Sequence, residues 1–116
     1  MNFSVIASVL LALAVSMGAF GAHALKGRLD AYGMGIWEKA VFYHFVHAIG
    51  LLIVSRTIPQ VDTNVICWLL VAGVVLFSGS LYVLALTGIT TLGAVTPLGG
   101  VAFIGAWLML ALRLMR

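Results

Sequence analysis

The sequence predicts an all-α integral membrane protein: a single transmembrane domain, residues 1–116, built as an antiparallel bundle of four transmembrane helices. Three observations predict it. Only 8% of the residues are charged and 64% are hydrophobic, whereas soluble domains carry about 25% charge and a chain this short has too much surface to do without it. Residues 1–25, 40–55 and 63–112 contain no Asp, Glu, Lys or Arg. The remaining charges fall in short polar stretches that divide the chain into runs close to the roughly 20 apolar residues needed per crossing. Lipid offers no water to an open backbone, so the runs read as helices. A transmembrane barrel would instead alternate in segments of about 10 residues.

The helices are expected at about 3–22, 37–55, 64–86 and 92–112. The first ends in GAFGAHAL, where Ala22-His23-Ala24 has the small-residue form of a signal-peptide cleavage site. A signal peptide has a basic beginning and an apolar core of about 7–15 residues. This N-terminus has no Lys or Arg and a longer apolar run, so a retained helix is expected. Ala14, Gly18 and Ala22 stand four apart on one face, the spacing that lets membrane helices approach closely. In the first link, Leu29, Tyr32 and Ile36 fall at helical spacing and predict a short turn lying on the membrane surface. Pro59 marks the second link, Arg56–Asp62, as a helix stop. The third, Thr87–Gly93, is uncharged and tight. Short links join antiparallel neighbours. The halves show no repeat.

The formal net charge of +3 reflects basic residues at the ends of apolar runs, not a basic surface interleaved with aromatics, so nucleic acid is not an expected partner. Lipid is, and a homo-oligomer or larger membrane complex is compatible with the small-residue faces. Four crossings place both termini and the second link on one side, with Arg56, Arg113 and Arg116; Lys26, Arg28 and Lys39 lie on the other. With the free amine added, the positive-inside rule favours cytoplasmic termini by a narrow margin.

Threading gathers the polar residues in the half of the bundle away from the termini, the outer half. His23 ends the first helix; Tyr43, His44 and His47 lie on the second; Ser78, Ser80 and Tyr82 on the third; Thr96 opens the fourth. Polar groups at membrane depth face the bundle interior and find partners. His44 and His47 are three apart and share a helix face; Tyr43 and His47 are four apart. Two readings follow: a site for an ion, metal, haem or lipid-like molecule around His23, His47 and Ser78, or hydrogen bonds that hold helices together. Zinc would want three or four ligands, and Cys67 lies toward the inner side; no haem signature is present. Thus no cofactor is required and any metal is unknown. Gly79, Gly99 and Gly100 mark close approaches, the last two just after Pro97 in the first turn of the fourth helix. Paired acids, a Ser-His-Asp set and phosphate-binding glycine loops are all missing. An enzyme is therefore not expected.

GAFGAHAL at 18–25, Tyr43-x-x-x-His47, FSGSLYVLALTG at 77–88 and TPLGGVAFIGAW at 96–107 together resemble the domain-of-unknown-function 423 family of small four-helix membrane proteins, which are transmembrane protein 256-like. The resemblance covers nearly the whole chain. It implies a polytopic bacterial inner-membrane protein with both termini inside, and no particular activity. The leading expectation is a non-enzymatic component acting through helix–helix contacts; the alternative is a ligand-binding or transport protein using the outer-half pocket.

Overall fold

The computed structural model describes residues 2–57 and 62–116, and four of its helices are long and apolar enough to cross a membrane. The first crossing is α1, Phe3–Phe20, continued by a wider π-helical turn, Gly21–Leu25. Asn2 caps it, its side-chain oxygen accepting from the Val5 N–H at 3.3 Å. The second crossing is α2, Ala31–Thr57. It begins six residues before the expected start near Trp37, and the stretch expected to lie on the membrane surface is its first turn and a half. Asp30 explains this: its carboxylate accepts from the Gly33 N–H at 2.7 Å, a helix N-cap that outweighs Gly33 and Gly35.

The third crossing is continuous, made of α3, Asn64–Gly73, a π-helical turn, Val74–Ser78, and α4, Gly79–Thr87. Gly88 ends it at φ 71°, returning its N–H to the Leu84 carbonyl, a left-handed cap that suits glycine. A 3-10 turn, Thr90–Ala94, leads into α5, Thr96–Leu114, with Pro97 in its first turn. The Pro59 stop lies outside the described residues.

α2 and the third crossing form the centre, each with 39% of its apolar window buried; α1 packs mainly on α2 and α5 on α3, with 17% buried in each. At one end Ser4 and Ser55 hydroxyls meet at 3.3 Å, and the Arg113 guanidinium donates to the Asp62 carbonyl. The start of α1, the end of α2, Asp62 and the end of α5 therefore share a side. Near this terminal side Phe3, Leu51, Ile66, Leu70 and Phe103 belong to one core; toward the far side Leu25, Trp37, Leu81 and Tyr82 belong to another.

Glycine against an aromatic ring is the recurring contact. An added Cβ at Gly21 would lie 2.5 Å from the Trp37 indole, at Gly50 2.7 Å from Trp107, and at Gly73 2.3 Å from Phe103. Gly99 is as tight as Gly73 and against backbone, because its Cβ would lie 2.3 Å from the backbone nitrogen of Phe77. Ala14 is fully buried, whereas Gly18 has only Val41 at an ordinary 3.6 Å. Gly100 has Phe77 at 3.9 Å, Gly79 faces open space, and Ala22 is exposed.

Candidate functional site

The polar residues expected in the far half form bonds, most of them between crossings; because α2 begins at Ala31, His44 is its midpoint and His47 lies a turn beyond it toward the terminal side. His44 on α2 is buried, and its Nδ1 lies 2.8 Å from the Tyr82 hydroxyl on α4. Four residues earlier on α2, the Ala40 carbonyl accepts from Ser78 Oγ at 2.8 Å, and Ser78 has no exposed surface. His47, one turn beyond His44, donates from Nδ1 to the Tyr43 carbonyl of its own helix at 2.9 Å. Its ring lies flat on Phe103 of α5, centroids 3.5 Å apart and planes within 12°. Tyr43 stands at the edge, its ring against Phe77 at 4.4 Å. Ser80 and Thr96 share a 2.6 Å hydroxyl contact that ties α4 to the start of α5, and Ser80 also bonds the Phe77 carbonyl.

The structure thus brings His44, His47, Ser78 and Tyr82 together, with Tyr43 beside them and Ser80–Thr96 as a separate tie. His23 does not join them. It is exposed in the π turn after α1 and makes no hydrogen bond or ring contact with any of them. Among the described residues no three His, Cys, Asp or Glu side chains are placed to share a metal ion. Among the described residues one buried side-chain polar atom lacks a hydrogen bond, His44 Nε2; the Leu10 carbonyl of α1 is in its neighbourhood without bonding geometry. The other buried donors and acceptors named above are paired within or between helices, where lipid would leave them unsatisfied.

A cavity of the far half opens elsewhere. A groove of about 340 Å³ runs between α1 and α2, floored by Gly18, Gly21 and Ala22 and walled by Glu38, Val41 and Phe45 among others. That is the small end of ligand pockets, which run from about 300 to 1,000 Å³. The small residues of α1 create it by leaving space beside the larger side chains of α2. Trp37 fixes its depth: the indole N–H donates to the Met17 carbonyl at 2.8 Å and so pins the two helices together. Glu38 and Phe42 are exposed along its open side, and Glu38 makes no hydrogen bond or ion pair with any described residue.

Neither Glu38 nor Trp37 was among the residues expected to form a site. Their signal was joint: the one acid within the apolar crossings, beside a tryptophan and opposite a small-residue stripe. The stripe reads as helix packing in sequence. In the structure it is half packing, through Gly21 and Trp37, and half groove.

Residues 17–100 match the profile of a family described as "Protein of unknown function (DUF423)". The chain is 48% identical over 110 residues to a UPF0382 membrane protein of Staphylococcus haemolyticus, covering 93% of this chain and 90% of that one. It is 45% identical over 112 residues to the UPF0382 membrane protein YwdK of Bacillus subtilis, covering 93% and 91% respectively. No solved structure gives a significant match.

Proposed function

The chain belongs to the DUF423 family of membrane proteins, and on that premise we propose that it is a non-enzymatic component of the bacterial inner membrane, with both termini cytoplasmic, acting through contacts between its helices and those of a second copy or a larger assembly. One observation carries the reading. Of the buried polar side chains, which would have to line a reactive or transport site, His44, Ser78 and Ser80 are bonded to neighbouring helices, to Tyr82, Ala40 and Thr96, and His47 is bonded to the Tyr43 carbonyl of its own helix. What the molecule offers outward is apolar surface on α1 and α5, including Val101, Ile104 and Leu108, each more than 60% exposed. The orientation is supported by Arg56, Arg113, Arg116 and the amino terminus on the terminal side, against Lys26, Arg28 and Lys39 on the other.

The test is cross-linking in native membranes through single cysteines at Ile104 on α5 and Val9 on α1, with the mass of the solubilised particle measured in parallel. A discrete cross-linked species from one of these faces, matched by a particle larger than one chain, is the expected result. A single-chain mass in mild detergent with no discrete product from either face would refute the reading.

A further inference from the structure

We propose that the groove between α1 and α2 is a binding site for an amine-bearing phospholipid, with an acyl chain along the apolar floor and the headgroup ammonium paired with Glu38. The inference does not depend on self-association. It begins with depth. α2 has 27 residues, about 40 Å at 1.5 Å per residue, and so exceeds the roughly 30 Å hydrocarbon core by some 5 Å at each end if centred. Glu38 is its eighth residue, about 10 Å from the start. Its carboxylate therefore sits just below the boundary between acyl chains and headgroups. A charge in that position is costly and normally has a partner, yet Glu38 has none within the described residues.

The surroundings say what partner fits. The floor of Gly18, Gly21 and Ala22 is apolar and too narrow in side-chain bulk to fill the space beside Val41 and Phe45. It lies open to the side, where the neighbouring phase is acyl chain. An ammonium group reaching one layer deeper than usual would meet the carboxylate with charge-assisted hydrogen bonds. Lys26 and Arg28 follow within six residues of Ala22, at the same end of the bundle, and provide cations at headgroup level for the phosphate. An apolar floor with an acid at its headgroup end thus fits an acyl chain whose ammonium folds back from the phosphate toward the boundary.

The experiment is native mass spectrometry of the full chain released from detergent doped with phosphatidylethanolamine, phosphatidylcholine or phosphatidylglycerol. Phosphatidylethanolamine is expected to be retained preferentially, because the choline headgroup has no N–H to donate and the glycerol headgroup has no cation. E38Q should reduce that retention about tenfold, the equivalent of one charge-assisted hydrogen bond. A22W, which fills the groove from an exposed position and keeps the carboxylate, should reduce retention of all three lipids. Circular dichroism of each variant establishes that it is folded. Equal retention of phosphatidylglycerol and phosphatidylethanolamine by the native chain would overturn the proposal, as would undiminished phosphatidylethanolamine preference in folded E38Q. A disulfide-linked dimer forming efficiently through F42C in membranes, and lost in the F42C/A22W double variant, would assign the groove to a helix of a second copy and overturn it equally.

Discussion

Gly99→Ala tests the packing account most directly, because a single methyl is added where the structure leaves no room for one. The new Cβ would fall 2.3 Å from the Phe77 nitrogen, 2.7 Å from Phe77 Cβ and 2.8 Å from Phe77 Cα. Real Cβ contacts rarely come closer than 3.4 Å, so the two crossings must part locally by about 1 Å. No rotamer change can absorb this, since the obstructing atoms are backbone and a Cβ that the backbone fixes. A gap of 0.5–1 Å forfeits about a quarter to a half of each dispersion contact, and the Ser80–Thr96 tie lies one turn from the clash. Overpacking costs about 1–3 kcal/mol in general; the backbone contact puts Gly99→Ala at the upper end, about 3 kcal/mol. Gly100→Ala is the control, because its Cβ meets Phe77 at an ordinary 3.9 Å. Equilibrium unfolding in mixed detergent and sodium dodecyl sulfate, followed by circular dichroism, measures both. Equal midpoints for Gly99→Ala and the native chain would refute the close approach of α5 to the third crossing.

Tyr82→Phe removes the hydroxyl that bonds His44 and leaves a second ring nitrogen of that buried histidine unpaired; a loss of about 1–2 kcal/mol is expected in the same unfolding assay, and native stability would contradict the bond. Ser80→Ala and Thr96→Val, taken singly and together, should show a coupling energy of about 0.6 kcal/mol, the size usual for a hydrogen bond between membrane helices; strictly additive losses would mean that the hydroxyl contact contributes nothing. Arg116→Cys should resist a membrane-impermeant thiol reagent applied to intact cells while Lys26→Cys reacts, since Cys67 is buried and silent; the reverse pattern would invert the orientation.

The crossings were legible because lipid imposes a length and a composition, and long charge-free runs satisfy both in few ways. The antiparallel threading was legible for the same reason, since it follows from short links. What sequence could not supply was azimuth, the direction in which each side chain leaves its helix. His23 and His47 were expected in the same half, yet His23 is exposed at the far end and His47, past the midpoint of α2, stacks on Phe103. Two π turns, Gly21–Leu25 and Val74–Ser78, each shift the face presented by the residues beyond them. Neither has a residue signature, although one begins with and the other follows a glycine seated against an aromatic ring. The start of α2 was misplaced because Asp30, Gly33 and Gly35 look like a break in composition. Asp30 is nevertheless a capping residue, and the hydrogen bond to Gly33 begins the helix there. Gly18 and Gly99 carried the same weight in sequence; only the second lies against backbone.

The cross-helix bonds also bear on how the chain finds its one arrangement. In lipid, an apolar helix gains little by choosing one apolar neighbour over another, so greasy surface alone is a poor guide to alignment. α1 and α2 can meet early, being adjacent along the chain, and so can the third crossing and α5. The two hairpins must then slide along each other until they stop. Ser78 on Ala40, Tyr82 on His44, Phe103 beneath His47 and Trp107 over Gly50 all lie across that sliding plane. A displacement of one helical turn, about 5.4 Å, would break all four at once and strand the polar groups in hydrocarbon. The seam therefore works as a ratchet with a single tooth, and a membrane protein of very few charges still has an unambiguous docked position.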